Sequence, residues 1–181
     1  LRAFARVIDR GIFLNGPEAD SLENHLAHVL GKGSVISVSS GHDALTLSLQ
    51  SLRLSKDSEV IFPVNAYPTA FPVSISGLKP VPVDVDANGQ IDPVSVIKAI
   101  TNQTRVIIMV HLYGLVGNLS AIKILCRKHR IILIEDAAQA FGTVYQHQYV
   151  GTGEHQRRQP NAGLLAAGKR SQRLKSIIAR E

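Results

Sequence analysis

Three stretches of this sequence place polar and aromatic side chains at a turn that follows an apolar run. The first is Ser39-Ser40-Gly41-His42-Asp43, between the run Val35–Val38 and a helical pattern carrying Ala44, Leu45, Leu47 and Leu49. A helix start offers unpaired amide N–H groups and the positive end of the helix dipole, which suits a phosphate. Gly41 lets the backbone approach closely, and His42 and Asp43 would supply first-turn amides. Ser and Asp also favour such positions as plain caps, so by themselves these residues read first as an ordinary capped turn. The second stretch is Glu135-Asp136-Ala137-Ala138-Gln139, directly after Ile131–Ile134. Two adjacent carboxylates at the end of a buried strand are costly unless paired. One of them could hold a cationic ring nitrogen, and Gln139 would share the side of the turn that carries Asp136 by its i, i+3 spacing. A helix-capping Asp without a ligand is an equal reading. The third is Asn65-Ala66-Tyr67-Pro68-Thr69, where the tyrosine is either core or a surface for stacking on a planar ligand. His111-Leu112-Tyr113-Gly114 also closes an apolar run; it could line a pocket, but His111 reads first as a satisfied core histidine.

Other chemistries find little support. There is no G-x-G-x-x-G and no G-K-[ST], which argues against the common nucleotide-binding folds. No Cys/His/Asp group has metal-ligand spacing, so no metal site is expected. Cys126 is the one cysteine, which rules out a disulfide framework and suits a reducing cytoplasm. No apolar run approaches the roughly 20 residues that span a bilayer, and Arg2, Arg6, Asp9 and Arg10 exclude a signal peptide at the start. The chain begins with Leu rather than Met, which is read as a truncated start.

The elements that must position these residues alternate. Pro17 opens a helix with Leu22, Leu26, Val29 and Leu30 at helical spacing, ended by Gly31 and Gly33. Strands are expected at Val35–Val38, Glu59–Val64, Val81–Val83, Arg105–His111 and Ile131–Glu135. Helices are expected after Gly41, near Tyr67–Ser76 with a kink at Pro72, from Asp92-Pro93 through Ile100, and over Leu119–His129. Thr143–Val150 reads as a hairpin. Alternating strands and helices, with continuously apolar runs at 106–110 and 131–134, predict an α/β fold. Such runs belong to a mostly parallel sheet covered by helices on both faces, a three-layer αβα arrangement.

The 181 residues, 45% apolar and 19% charged, suit one globular domain with a substantial core. The charge is unevenly placed. Arg157, Arg158, Lys169, Arg170, Arg173, Lys175 and Arg180 outweigh Glu154 and Glu181, so most of the net +6 sits in residues 154–181. A basic tail of this kind could contact nucleic acid or an acidic surface; the reading adopted is a solvated, non-native or degenerate end. Residues 164–179 could still make one basic helix. A boundary is therefore expected near residue 153, between a body of 1–153 and a tail of 154–181.

Five segments in order, VSSGHDAL (38–45), VNAYPTA (64–70), KPVPVDVD (79–86), VHLYG (110–114) and IEDAAQA (134–140), resemble the DegT/DnrJ/EryC1/StrS family. The resemblance covers about residues 3–153. It implies the large domain, here incomplete, of a fold-type I enzyme that uses pyridoxal 5′-phosphate. Its members are mostly aminotransferases for nucleotide-linked keto-sugars; a dehydratase of the same family, or a non-catalytic interaction protein using the tail, are the alternatives. By resemblance, Gly41, His42 and Asp43 bind the cofactor phosphate and Tyr67 stacks on its ring. Asp136 pairs with the ring nitrogen, and Gln139 lies near the 3-hydroxyl. Where the family more often has Thr, this chain has His42. The family's partners would be a nucleotide sugar, an amino donor and a second copy of the chain as a homodimer; a membrane is not implied, and nucleic acid is not expected. The Schiff-base lysine of the family, in a Ser/Thr-x-x-Lys-Asn-like motif, has no counterpart after Gly153, and Lys169 in Ala-Gly-Lys-Arg lies in a different context. An inactive chain is the expectation, with no catalytic residue identified.

Overall fold

The computed structural model describes residues 2–31 and 34–152, and the backbone of two further strands at 162–165 and 177–180. Helices α1 (Arg2–Arg10) and α2 (Pro17–Leu30) precede β1 (Ser34–Ser37) and α3 (Gly41–Ser51). Then follow β2 (Glu59–Pro63), α4 (Ala70–Ile75), β3 (Lys79–Val83), α5 (Pro93–Ala99) and β4 (Thr104–Val110). The chain continues through α6 (Leu119–His129), β5 (Ile132–Asp136) and a hairpin of β6 (Val144–Tyr145) and β7 (Gln148–Tyr149). β8 (Ala162–Leu165) and β9 (Ile177–Arg180) come last. Short 3-10 turns lie at Val64–Thr69 after β2 and Leu112–Gly114 after β4.

Seven strands form one sheet in the order β1-β9-β8-β5-β4-β2-β3. β9 runs antiparallel to both β1 and β8, and the pairs β8-β5, β5-β4, β4-β2 and β2-β3 are parallel. Two antiparallel steps restore direction, so β1 points the same way as β5, β4 and β2. The expected basic helix over 164–179 is therefore not the outcome: residues 162–165 and 177–180 are sheet strands that fill the gap between β1 and β5. The rest of the tail, including Lys169 and Lys175, lies outside the described residues.

Strand side chains alternate faces, and the two cores follow that period. Val60, Phe62, Val106, Ile108, Val110 and Ile134 pack with Ala44, Leu45 and Leu49 of α3 and Val73 of α4. Ile61, Ile107, Met109 and Leu133 pack with Val96 of α5 and Leu119, Ile122 and Leu125 of α6. These are the two helix layers of the expected three-layer αβα fold. A third cluster joins Leu26 and Leu30 of α2 to Val35, Ala137, Ala140 and Val150.

Local signals explain the element ends. Asp92 caps α5, accepting from the amides of Val94 and Ser95 at 3.1 and 3.0 Å. Pro72 does not kink its helix; it sits in the first turn of α4, where its missing N–H leaves no gap, and the break falls earlier at Ala66. β3 carries Pro80 and Pro82 and is an edge strand, the place where proline is tolerated in sheets. The amide of Lys79 donates to Ser58 on the β2 side, so the alternate positions 80 and 82 face away from the sheet.

Ile107 has 0% exposure at the centre of β4. Ile107→Ala is expected to lower unfolding stability by about 3 kcal/mol in urea titration, whereas Ile97→Ala on the exposed side of α5 should stay within about 0.5 kcal/mol.

Candidate functional site

The turns after β1, β2, β4 and β5 lie along one edge of the sheet, because these strands run the same way. That edge holds all the candidate residues, and the carboxyl end of parallel strands is where α/β folds bind ligands. The face they occupy follows from strand alternation. Ile134 belongs to the α3 face, so Asp136 two residues on shares it. Ala44 of α3 and Ala66, next to Tyr67, belong to the same apolar cluster as Ile134. The three motifs thus meet at one edge and on one face.

At the first turn, Ser40 is the N-cap of α3 and its Oγ accepts from the Asp43 amide at 3.1 Å. This corrects the expectation that Asp43 would offer its amide to a phosphate: that N–H is already engaged by the cap. The amides of Gly41 and His42 have no backbone or side-chain acceptor among the described residues. The Asp43 carboxylate takes hydrogen bonds from the Ser39 and Ser40 hydroxyls, which hold it below the usual aspartate range. At the second turn, Tyr67 is 68% exposed in its 3-10 segment, so it is not core and its ring is open to a ligand. Asn65 beside it donates from Nδ2 to the Gly89 carbonyl at 2.9 Å, tying this turn to the loop after β3.

The adjacent carboxylates at the end of β5 have opposite environments. Glu135 is buried with His111, whose Nε2 lies 3.3 Å from Oε2, and the same oxygen accepts from the Gly151 amide at 3.2 Å. Burial pushes its pKa up, but the His111 contact, Lys123 and the Gly151 N–H outweigh burial and hold it below the ordinary glutamate range. His111, at 0% exposure, is a core histidine, but not a fully satisfied one: its Nδ1 has no hydrogen-bond partner among the described residues. Asp136 accepts at Oδ1 from the Ala138 amide at 3.0 Å and forms no salt bridge among the described residues. Burial pushes its pKa up, against smaller opposing effects of the Ala138 N–H and His111. A half-buried carboxylate with a raised pKa and no cationic partner among the described residues is stabilised in its charged form by a cationic group. Gln139 is exposed, and its Oε1 accepts from the Tyr113 amide at 2.9 Å. Gln90 is not a candidate on sequence grounds, and Tyr113 is one only as part of the 111–114 stretch; both tie the strand-end loops together. Gln90 is buried and donates from Nε2 to the Leu112 carbonyl at 3.3 Å.

No group of three or more His, Cys, Asp or Glu among the described residues could hold a metal ion. Within the same residues, no helix is long and apolar enough to cross a membrane.

The two carboxylates predict opposite responses to pH. Asp136 has a folded-state pKa above its unfolded value, so its ionisation lowers stability as pH rises through that interval. Asp136→Asn keeps the acceptor for Ala138 and is expected to raise stability by about 1 kcal/mol at neutral pH, with no gain at acid pH, where the carboxyl is protonated in both states. Glu135, with its folded-state pKa lowered, contributes stability above the unfolded glutamate pKa that is lost as pH falls. Glu135→Gln should lower neutral-pH stability by about 2 kcal/mol and flatten that acid-side slope. Thermal unfolding of both variants across pH checks the signs.

The chain is similar to known proteins over most of its length. Over 153 residues the chain is 39% identical to the dTDP-3-amino-3,4,6-trideoxy-alpha-D-glucose transaminase of Streptomyces venezuelae, covering 83% of this chain and 40% of that protein. The solved structure of S. venezuelae DesV superposes with a TM-score of 0.86 at 32% identity, covering 99% of this chain and 48% of that one. The E coli GDP-4-keto-6-deoxy-D-mannose-3-dehydratase, solved with bound hydrated PLP, gives a TM-score of 0.86 at 27% identity, over 99% and 47%. The chain therefore spans less than half the length of these relatives. Residues 1–157 match the family as a whole, and the chain belongs to the DegT/DnrJ/EryC1/StrS aminotransferase family.

Proposed function

We propose that this chain is the cofactor-holding half of a pyridoxal-phosphate-dependent aminotransferase for nucleotide-linked keto-sugars, and that by itself it binds the cofactor without a covalent bond and transfers no amino group. The Asp136 carboxylate carries the proposal, since its surroundings favour a cationic ring nitrogen over solvent or a protein partner. The other residues fit the same ligand. The amides of Gly41 and His42, at the start of the 11-residue helix α3, would hold the phosphate. Tyr67 would lie against the ring face, and Gln139 would meet the 3-oxygen. Asp136 would keep a proton on the ring nitrogen by its charge. When bound, the cofactor supplies an electron sink at the carbon that exchanges its amino group. The sugar and the amino donor would be bound by parts of the enzyme that the relatives have and this chain does not span. His42 in place of a threonine would remove a hydroxyl donor from the phosphate cradle, leaving the backbone to do that work.

The test is titration of the chain with pyridoxal phosphate, followed by absorbance, then borohydride reduction and peptide mapping. Reversible binding is expected, weakened on the order of tenfold or more by Asp136→Ala, with no lysine labelled. Labelling of Lys169 or Lys175 at one equivalent, abolished by Asp136→Ala, would show that the tail replaces the missing lysine and would overturn the inactive reading.

We also propose a homodimer. Ile8, Phe13 and Leu14, in and after α1, are 52%, 67% and 85% exposed, and α1 buries none of its own residues. An apolar segment of this kind is covered when a second copy packs on it. Sedimentation is expected to show a dimer that Phe13→Asp with Leu14→Asp converts to monomer; a monomeric parent chain would refute this.

A further inference from the structure

The Tyr113 backbone is in a conformation that tyrosine rarely adopts. Its φ is 60° and ψ 19°, in the left-handed region, and Gly114 follows with φ 78°. A side chain there is strained, and such strain persists only where the surroundings over-determine it. The surroundings do so here. The His111 amide donates to the Asp136 carbonyl at 2.9 Å, and the Leu115 amide to the Leu112 carbonyl at 3.0 Å. Gln90 holds the Leu112 carbonyl from the other side, and the Thr143 hydroxyl donates to the Gly114 carbonyl at 3.4 Å. Gly117 leaves room for this packing, since a Cβ at that position would stand 2.8 Å from the Cβ of Gln90.

The left-handed turn presents the Tyr113 N–H to the Gln139 side chain at 2.9 Å. A backbone N–H can only donate, so the atom facing it is the amide oxygen, and the two ends of the Gln139 carboxamide are thereby distinguished. Its oxygen is used, and its Nε2 takes no partner among the described residues. Gln139 lies three residues after Asp136, in the turn that follows β5. The same rim thus offers an unpaired carboxylate and a free N–H donor, one suited to a cation and the other to an acceptor.

We infer that Tyr113 is a positioning residue that locks the Gln139 carboxamide as a hydrogen-bond donor, so that with Asp136 the site selects a heteroaromatic ring bearing a cationic nitrogen and an ionised ring oxygen. The inference rests on the proposed cofactor for the identity of that oxygen, the 3-oxygen of pyridoxal phosphate. The orientation of the amide does not depend on any ligand. Donation from a neutral amide favours the ionised oxygen over the hydroxyl, which would itself need an acceptor.

Two measurements on the full chain test it. In the first, without ligand, hydrogen exchange of the Tyr113 amide is followed by NMR in the parent and in Gln139→Ala. Exchange is expected on the order of tenfold faster in the variant, and equal rates would overturn the inference. In the second, equilibrium dialysis compares pyridoxal phosphate with its 3-deoxy analogue at neutral pH. The parent should prefer pyridoxal phosphate on the order of tenfold. Gln139→Glu, which still accepts from Tyr113 but cannot donate to the ligand, should lose that preference. Tyr113→Val, β-branched in a left-handed position, should also reduce it, and Tyr113→Gly, at ease at this φ with its N–H retained, should rescue it. Undiminished preference in Gln139→Glu would overturn the donor assignment. If the parent binds neither ligand and Asp136→Ala changes nothing, the cofactor reading fails and the ligand part of the inference with it; the exchange measurement still decides the locked amide.

Discussion

The edge that carries the site depends on the register between β4 and β5. In that pair Val110 stands opposite Asp136, and the His111 amide continues the ladder one step further to the Asp136 carbonyl. Side chains on a strand alternate with period two, so this register decides which carboxylate goes where. Glu135 is turned with His111 toward the α5 and α6 side, where it is hydrogen-bonded and covered. Asp136 is turned toward α3 and the Tyr67 turn. A slip by one residue would exchange the two, burying the free carboxylate against α6 and presenting the paired one to the ligand.

The loops beyond the strands are held by a lateral chain of polar contacts. Asn65 reaches the loop after β3, Gln90 reaches from that loop to Leu112, and Tyr113 reaches Gln139 after β5. Each link joins the end of one strand to the end of another. Side-chain amides make most of these links, and amides keep their polarity across the pH range in which the carboxylates titrate. Position at this rim is thereby decoupled from charge. The Glu135–His111 pair sits beneath it, and Asp136, which has no salt bridge among the described residues, is left out of both networks.

Much of this was legible in the sequence. Continuous apolar runs at 106–110 and 131–134 gave the central strands, and Leu119–His129 matches α6 residue for residue, because periodicity and capping residues encode such elements directly. The placement of Gly41, Tyr67, Asp136 and Gln139 after strands was readable for the same reason. What was hidden is what sequence encodes through partners. Nothing in Tyr113 announces a left-handed backbone; only the glycine after it hints at a turn. The Asp43 amide looked available because the sequence leaves open whether Ser39 or Ser40 is the cap and which first-turn amide it engages. β8 and β9 were missed because short strands beside basic residues and glycines carry no clear period, and the sheet recruits them by offering the open edges of β5 and β1.

The prolines of β3 have a consequence for how this chain behaves in company. In a parallel strand the outward donors come from alternate residues, and here the positions facing away from β2 are Pro80 and Pro82. That rim of the sheet therefore has carbonyls but lacks the N–H groups another strand would need at those two places. It cannot serve as a template for β-growth by an incoming chain. At this edge of the described sheet, strand addition is therefore disfavoured relative to packing through helix surfaces.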